Sequence, residues 1–345
     1  PFTVTATASS GLAISSYTSS NTAVATISGN TVTIVGVGSS TITARQDGNS
    51  SYNPATDTFT LTVSKASQSI TFGNIIKTYG DADFVLSATG GASGEPVTYT
   101  SSDTGVATVS GNTVTILSPG TTQITASQAG NGNYNPAPDN AKTLTVNKKA
   151  LTITGAAAAS KVYNGTNTAT VTGGTLDPSE IVGTDVVTLD TYTATFTNAL
   201  VANGKPVSVT YTLTGAQADR YTATQLTGLT ADITAKELTI FGIQIADKQY
   251  DGNTAATIEG LPALDGIIGT DDVSINSTGA TAVFNDPNVG PAIPVTVSGY
   301  TLTGNDAGNY AIQQPQGLTA NITSASLQNQ TIKFNSLSPV TYGDA

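Results

Sequence analysis

The stretch that decides the fold is TSSNTAVATISGNTVTIVGVGSSTITARQDGNSSYNP (residues 18–54), which returns as TSSDTGVATVSGNTVTILSPGTTQITASQAGNGNYNP (residues 100–136). The two copies keep one register, 82 positions apart, and are nearly identical. Both alternate Thr or Ser with Val, Ile or Ala, which is the two-residue period of a half-buried strand. A repeat of about 80 residues indicates an array of small domains rather than one large core.

A tight hairpin is predicted inside this stretch, at ATISGNTVTI (residues 25–34). Gly29 and Asn30 separate two alternating runs, and this pair favours a two-residue turn. Such a turn sets apolar residues opposite each other on one face, in the pairs Ile27–Val32 and Ala25–Ile34. Residues 106–116 repeat this hairpin pattern around Gly111 and Asn112.

A second sequence type follows, with KVYNGTNTATV (residues 161–171) and KQYDGNTAATI (residues 248–258). Their Asn-Gly and Asp-Gly pairs tolerate the left-handed backbone of a tight turn. ADRY (residues 218–221) and DAGNY (residues 306–310) have the spacing of a tyrosine corner, in which a tyrosine at a strand start bonds to nearby backbone. A structural corner is therefore the favoured role of Tyr221 and Tyr310, and a sugar-stacking platform is the alternative.

These repeats predict an all-β chain, a tandem array of immunoglobulin-like β-sandwich modules that forms an extended rod. The first type accounts for the C-terminal part of a module at residues 1–65 and a complete module at 66–148. The second type gives modules at 149–235 and 236–323, and residues 324–345 are the N-terminal strands of a further first-type module. Junctions such as LTVNKKALTI (residues 144–153) have no flexible spacer, which predicts stiff end-to-end stacking.

The two ends of the sequence predict one period of a longer array. TYGDA (residues 341–345) continues into PFTVTATAS (residues 1–9) and rebuilds the motif TYGDADFVLSAT of residues 78–89. QTIKF (residues 330–334) likewise matches QSITF (residues 68–72). We therefore expect residues 324–345 to supply the opening strands for residues 1–65 of the next copy, and an isolated chain to have an unpaired edge there. Because the chain has no Met and no signal sequence, we also expect an internal piece whose export signal and anchor lie elsewhere.

The composition excludes most catalytic chemistry. The chain has no His, Cys, Met or Trp, so it cannot form Ser/His or Cys/His nucleophilic sites, haem ligation or metal centres built on thiolates and imidazoles. Paired carboxylates remain, and the candidates are Asp185, Asp271 and Asp272 in GTDVV and GTDDV. Each follows Gly-Thr without a distinctive partner. We interpret all three as solvated turn residues and predict that the protein is not an enzyme.

Calcium is the alternative ligand for the acidic residues, because hard cations prefer clustered oxygens. The pairs Asp81 with Asp83 and Asp247 with Asp251 are too sparse to form a site. We therefore predict no catalytic, cofactor-binding or metal-binding residue, and no cofactor.

Three lysines precede the repeated tyrosines by two positions, namely Lys77, Lys161 and Lys248, whereas Val340 breaks the pattern. We interpret them as edge-strand lysines that discourage wrong strand pairing. The alternative is a covalent crosslink from a buried lysine to Asn or Asp.

Charge limits the partners. The net charge is −11, from 12 basic and 23 acidic residues, and an acidic surface repels nucleic acid and anionic lipid. No apolar run approaches the ~18 residues of a membrane span, so we predict no membrane insertion. Without cysteine, the sandwiches depend on apolar cores and hydrogen bonds rather than disulfides.

The chain resembles a known group of bacterial repeats. The modules with YGD (residues 79–81 and 342–344) resemble YGX-type MBG repeats of large bacterial surface proteins, and those with KVYNG and KQYDG resemble the YDG repeats of the same proteins. The resemblance covers the whole chain, with departures at Asn164, in place of the Asp of YDG, and at Val340, in place of the lysine before the tyrosine. It implies a stalk of immunoglobulin-like domains in very long adhesins, hence a secreted protein on the bacterial cell surface.

Two classes of function follow. In the first, the array is a stiff, tension-bearing stalk whose partners are neighbouring copies of the same repeat, end to end. In the second, the modules themselves bind a ligand such as host or mucin glycan. Polymerisation by strand exchange between separate subunits would also explain why the two ends of the sequence together rebuild the motif of residues 78–89. The stalk is favoured because the strongest identity between copies lies in strands and tight turns rather than at one loop end.

Overall fold

The computed structural model describes residues 1–326, 329–336, 339 and 342–343. In this described part the regular structure consists of β-strands and three short 3-10 helices, which confirms the all-β class. The residues form two compact units. Unit 1 comprises Pro1–Leu151, Pro178–Thr188 and Leu213–Ala223, and unit 2 comprises Thr152–Asp177, Leu189–Thr212 and the described residues from Thr224 on. Residues of the third predicted module occur in both units, and the module boundaries stay predictions.

Residues 1–65 form two three-stranded sheets. The strands are β1 (Phe2–Thr3), β2 (Ser16–Ser19), β3 (Ala25–Ser28), β4 (Thr31–Ile34), β5 (Gly38–Gln46) and β6 (Ala55–Val63). The sheet orders are β1-β4-β3 and β2-β5-β6. The predicted hairpin register is confirmed, with Ala25 opposite Ile34 and Ile27 opposite Val32. Gly29 has a positive φ of 60° at the turn, although Ile34 is exposed rather than buried.

Residues 66–148 repeat this arrangement with one more strand. The strands are β7 (Ile75–Thr78), β8 (Phe84–Val85), β9 (Val97–Ser101), β10 (Ala107–Ser110), β11 (Thr113–Ile116), β12 (Gly120–Gln128) and β13 (Asn140–Asn147). The sheet orders are β10-β11-β8 and β7-β13-β12-β9. The added strand β7 runs parallel to β13 and covers its outer edge.

Residues 149–235 contain the next strands and two of the 3-10 helices, Pro178–Glu180 and Ala218–Arg220. The strands are β14 (Lys149–Thr154), β15 (Ala157–Ala159), β16 (Lys161–Val162), β17 (Thr170–Thr172), β18 (Thr175–Leu176), β19 (Thr188–Phe196), β20 (Ala202–Thr214), β21 (Tyr221–Thr224) and β22 (Thr230–Thr234). Strand β14 pairs with β18 and β15 with β17, and a four-stranded sheet has the order β16-β22-β20-β19.

Residues 236–323 follow the same plan, with a 3-10 helix at Ala307–Asn309. The strands are β23 (Lys236–Ile245), β24 (Lys248–Gln249), β25 (Ala255–Ala256), β26 (Ile258–Asp265), β27 (Ser274–Asn276), β28 (Thr281–Phe284), β29 (Gly290–Ser298), β30 (Thr301–Thr303), β31 (Tyr310–Gln313) and β32 (Thr319–Thr323). The sheets have the orders β26-β23-β31, β24-β32-β29-β28-β25 and β27-β30.

The cores lie between facing sheets, which is the β-sandwich arrangement. In residues 1–65, buried Val32 of one sheet packs with Tyr17 and Leu61 of the other. In residues 236–323, Phe284 and Ile322 of the five-stranded sheet pack with partly buried Ile312 of the sheet opposite. Burial of such alternating side chains is the main stabilising term.

Part of the C-terminal prediction falls beyond the described residues. Val340 and, within TYGDA, Thr341, Asp344 and Ala345 lie outside them, while Tyr342 and Gly343 are described. Among the described residues, no helix has the length and apolar character needed to cross a bilayer.

Candidate functional site

The first candidate site, the Asp185 cluster, lies within unit 1. The Asp185 carboxylate accepts hydrogen bonds from the Tyr79 hydroxyl at 2.8 Å and the Tyr221 hydroxyl at 2.7 Å. The Arg220 guanidinium lies 3.2 Å from the other carboxylate oxygen and donates to the Tyr79 hydroxyl at 2.7 Å. The backbone N–H of Val182 donates to the Tyr221 hydroxyl at 2.9 Å. Each of the two tyrosine hydroxyls therefore donates one hydrogen bond and accepts another.

The second site, the Asp271 cluster, lies within unit 2 and repeats this geometry. The Asp271 carboxylate accepts from the Tyr163 hydroxyl at 2.8 Å and the Tyr310 hydroxyl at 2.6 Å. The backbone N–H of Ile268 donates to the Tyr310 hydroxyl at 2.9 Å. The tyrosine rings pack edge to face, with centroids 5.3 Å apart, close to the 5.6 Å of Tyr79 and Tyr221.

Local structure explains how these side chains come together. Tyr79 and Tyr163 directly follow the short edge strands β7 and β16, and their backbone N–H groups continue the sheet pairing to Asn147 and Thr234. Tyr221 and Tyr310 each open a strand directly after a 3-10 helix. Each cluster therefore joins the end of one sheet to a turn 106 or 108 positions further along the chain.

The glycines of the tyrosine motifs permit this close approach. Gly80 has φ +88°, and a Cβ there would lie 2.5 Å from a methyl group of Val182. Gly165 has φ +75°, and a Cβ would lie 3.0 Å from a methyl group of Ile268. Val182 and Ile268 are the residues whose N–H groups bond the tyrosine hydroxyls. A side chain at either glycine would separate the surfaces that the tyrosines hold together.

The electrostatics make these tyrosines hydrogen-bond donors rather than acid–base groups. Burial raises the pKa of Tyr163 to about 12, and its hydrogen bond to Asp271 adds to the effect. Burial and Asp185 raise the pKa of Tyr221 to about 12 in the same way. Both phenols therefore stay protonated at neutral pH and donate to their carboxylates. We call each pair of tyrosines with its aspartate a clamp, namely Tyr79 and Tyr221 on Asp185 and Tyr163 and Tyr310 on Asp271.

The prediction that Asp185 and Asp271 are solvated turn residues without distinctive partners is wrong. They follow turns, as expected, but each carboxylate accepts from two buried tyrosines, and the Asp185 side chain is only 12% exposed. Asp272 is exposed, and its carboxylate accepts from the backbone N–H of Asn305. One sequence signal could have found this pairing. The motif GTD occurs only in the two modules that follow a YG or YNG motif, and its aspartate stands 106 or 108 positions after the tyrosine of that motif.

The structural interpretation of Tyr221 and Tyr310 is confirmed, since both hydroxyls accept from backbone N–H groups. Those groups lie 39 and 42 positions earlier in sequence, further than predicted. Both rings are buried, so they cannot act as a sugar-stacking platform.

The three lysines lie on the edge strands β7, β16 and β24, as predicted. Two of them also organise the loop that carries the next tyrosine. Lys161 Nζ donates to Asn164 Oδ1 at 2.9 Å and to the carbonyl of Thr168 at 2.9 Å. Lys248 Nζ lies 2.7 Å from Asp251 Oδ1. Lys77 lies over the ring of Phe84, with its Nζ 4.6 Å from the centroid, and the other two lysines each lie 5.7 Å from a phenylalanine ring centroid.

The acidic residues weighed for calcium bond to other groups. Asp81 accepts from the Thr78 N–H and Asp83 from the Thr115 hydroxyl. Asp247 accepts from the N–H of Asn321, which lowers the pKa of Asp247. Across the described residues, no three acidic side chains are grouped so that they could hold a metal ion. The absence of metal-binding and cofactor-binding residues stays a prediction.

Comparison with known proteins found a family match in the second half of the chain. The YDG domain model matches residues 147–228 and again residues 234–317. These ranges overlap the third and fourth predicted modules. No curated protein matches the chain.

Three solved structures show distant similarity to the chain. The chain is 9% identical to Drosophila N-cadherin EC1-4, with TM-score 0.22, covering 90% of this chain and 92% of that one. It is 10% identical to the human desmocollin-1 ectodomain, with TM-score 0.24, covering 94% and 77%. Bacteroides ovatus SGBP-B, solved in complex with a mixed-linkage heptasaccharide, gives 14% identity and TM-score 0.16, covering 73% and 66%. Similarity at this level says nothing about what this chain binds.

The motifs around Tyr163 and Tyr250, the shared strand order and the family match lead to one conclusion. Residues 147–228 and 234–317 are two tandem YDG domains.

Proposed function

We propose that the chain is a structural repeat of a long, secreted bacterial surface protein, in which it acts as a stiff, non-catalytic stalk that extends and bears tension. The observation that carries the proposal is the repeated clamp. In two places, a tyrosine at the end of one sheet bonds an aspartate more than 100 positions further along. Such contacts suit a stalk, because they add side-chain hydrogen bonds to the stiffness that junctions without a flexible spacer already give.

The chemistry of the clamps suits a load-bearing role. Each cluster combines buried aromatic rings with charge-assisted hydrogen bonds, which are stronger than neutral ones. The clamps use side chains that the repeats carry in common, so a longer array can use them again. Neighbouring copies of the repeat, end to end, are the partners of this arrangement. A net charge of −11 disfavours nucleic acid as a partner.

The YDG match and the resemblance of residues 66–148 to YGX-type MBG repeats support a place on the bacterial cell surface, as part of an adhesin or filament. The alternative, glycan binding by the modules themselves, is weakened by the burial of Tyr221 and Tyr310, which were the aromatic candidates for stacking on sugars.

Small-angle X-ray scattering of the full chain tests the proposal. Strand and loop lengths give each module roughly 35–40 Å of extension, so a rod of four modules has a radius of gyration of about 40 Å. A compact globule of this length has about 20 Å. The value near 40 Å is expected, and a value near 20 Å would contradict the stalk.

The clamp is tested in the same measurement with a double variant, Asp185→Asn and Asp271→Asn. We expect a broader distribution of interatomic distances as the clamped surfaces loosen. Asp272→Asn is the matched control, because this neighbouring carboxylate lies outside the clamp and its loss should leave the curve unchanged.

A further inference from the structure

The chain contains three Asn-Gly pairs, in which the asparagine side chain lies next to a backbone nitrogen that can attack it. Glycine has no Cβ to shield this nitrogen or to restrict the backbone around it. The attack closes a five-membered ring within one chain, and such reactions gain from the proximity of the two groups. The pairs are Asn131-Gly132, Asn164-Gly165 and Asn203-Gly204.

The side-chain oxygen of Asn164 accepts three hydrogen bonds. Lys161 Nζ donates to it at 2.9 Å, the Thr166 N–H at 3.1 Å and the Thr166 hydroxyl at 2.9 Å. Negative charge develops on this oxygen when a nucleophile attacks the amide carbon, and donors already in place stabilise that charge. Because one donor is a cation, its bond strengthens as the oxygen becomes charged. The loop therefore holds an oxyanion site around the amide of Asn164.

The groups that would attack and leave are unrestrained in the same loop. In the part of the chain that the structure describes, the Gly165 N–H and the side-chain nitrogen of Asn164 donate to no protein group. Asn164 and Gly165 are both exposed. Water can therefore reach the amide and carry protons to and from it.

The other two Asn-Gly pairs are each restrained. The Gly204 N–H donates to the Asp232 carboxylate at 2.7 Å, and a negative neighbour favours the protonated N–H over the anion that would attack Asn203. The side-chain nitrogen of Asn131 donates to the Ser93 carbonyl at 3.0 Å, which holds the leaving group in place. Both pairs serve as internal references for Asn164.

The other YDG domain shows what an acid does at this position. Asp251 corresponds to Asn164, and its Oδ1 lies 2.7 Å from Lys248 Nζ. Among the described residues, Lys161 and Lys205 form no ion pair with a carboxylate. Burial and the Lys205 charge lower the pKa of Lys161. A carboxylate at position 164 would therefore offset a repulsion that the loop now carries.

We propose that Asn164 is a self-modification site, which deamidates to an acidic residue that pairs with Lys161. The Gly165 nitrogen bonds to Asn164 Cγ, its proton passes through water to the amide nitrogen, and ammonia leaves with the electron pair of the broken C–N bond. Water then opens the cyclic imide at either carbonyl and leaves aspartate or isoaspartate. The inference goes beyond the proposed function, because it concerns a reaction of one loop rather than the assembly of the array.

Peptide mapping by tandem mass spectrometry tests the proposal on the full chain, kept folded for several days at mildly alkaline pH. The mass gain on replacing the amide by an acid is followed at all three pairs. We expect Asn164 to convert at least fivefold faster than Asn131 and Asn203. Conversion at Asn164 that is no faster than at both references would overturn the proposal.

Two variants test the oxyanion site. Lys161→Gln removes the cation and should slow conversion of Asn164 several-fold, while Asn131 is unaffected. Thr166→Val removes only the hydroxyl donor and should slow it by less. Faster conversion in Lys161→Gln would show that the native loop protects Asn164, which would contradict the proposal.

Unfolding in urea separates the effect of the fold from that of the sequence. All three pairs should then convert at similar rates, because the donors around Asn164 are lost. If Asn164 keeps its full lead in urea, its neighbours in sequence cause the reaction and the oxyanion site does not.

The product is tested with Asn164→Asp. A negative charge beside Lys161 favours the charged amine, so nuclear magnetic resonance titration should show a raised pKa for Lys161. An unchanged pKa of Lys161 would show that the acid does not pair with this lysine, and would overturn that part of the proposal.

Discussion

The Asp185 and Asp271 clusters each contain two tyrosines and one carboxylate, but among the described residues only the Asp185 cluster also contains a cation. Arg220 precedes Tyr221 and pairs with Asp185. At the same place before Tyr310 stands buried Asn309, whose side-chain oxygen accepts from the N–H of Val201 at 3.0 Å. The residue directly before the second tyrosine therefore strengthens the clamp in the Asp185 cluster, where it is Arg220. In the Asp271 cluster it is Asn309 and makes a separate contact. The shared tyrosines and aspartate are the minimal clamp.

The largest expected effect is the loss of either carboxylate. Asp185→Ala leaves two buried phenols without an acceptor and removes the carboxylate that pairs with Arg220, and should cost about 3 kcal/mol or more in local opening free energy. Asp271→Ala leaves two buried phenols without an acceptor but breaks no ion pair, and should cost about 2 kcal/mol. Native-state hydrogen exchange at the Val182 and Ile268 amides measures the two costs. Equal costs would show that Arg220 contributes nothing to the first clamp.

Loss of one tyrosine hydroxyl should be milder. Tyr79→Phe and Tyr163→Phe each remove one hydrogen bond to the carboxylate, worth about 1 kcal/mol. Tyr79→Phe should cost the more of the two, because Arg220 also loses an acceptor. Tyr250→Phe is the matched control, since this tyrosine follows β24 in the same way but is 45% exposed. The same exchange measurement should show no change for Tyr250→Phe.

High pH should weaken both clamps. The pKa of Tyr163 and of Tyr221 is raised to about 12, so the protonated phenol is favoured in the folded chain. The resulting stability is fully present below the ordinary tyrosine pKa near 10 and is lost as pH rises through about 12. Ultraviolet titration should show late-ionising tyrosines, and Tyr163→Phe should remove one of them. Ionisation of every tyrosine near pH 10 would contradict the buried clamp.

The smallest effect concerns a second difference between the two YDG domains. Buried Lys205 bonds Asn198 and the carbonyl of Leu200, whereas Ile293 occupies the corresponding place in the other domain. Lys205→Ile should change stability by less than about 1 kcal/mol, because a well-packed apolar residue can replace a buried charge. Burial and the Lys205 charge lower the pKa of Lys161, so Lys205→Ile should raise the pKa of Lys161. Nuclear magnetic resonance titration of the lysine side chains reads this shift.

Sequence reasoning predicted the local structure well. The hairpin at Gly29 and Asn30 was predictable because alternation and turn chemistry act within ten residues. The edge position of Lys161 was predictable because lysines on edge strands discourage wrong strand pairing. The bonds that this lysine makes to its own loop were not predicted, since several acceptors lay equally close in sequence.

The clamps escaped sequence reasoning for a different reason. Tyr163 and Asp271 lie 108 positions apart, further than one repeat, and each has an ordinary explanation when taken alone. A tyrosine in YNG indicates a turn, and an aspartate in GTD indicates a solvated turn. Only folding brings their side chains within hydrogen-bonding distance, so the pairing required the structure.

The most direct test of the clamp is hydrogen exchange in the loop at residues 163–168 of the full chain, compared between the unmodified protein and Asp271→Asn. An amide in place of the carboxylate weakens the bonds to Tyr163 and Tyr310, so we expect exchange in this loop to rise several-fold. Asp272→Asn should leave the loop unchanged, as should either variant for residues 100–128. Unchanged exchange at residues 163–168 in Asp271→Asn would show that the aspartate does not hold the loop, and would contradict the account.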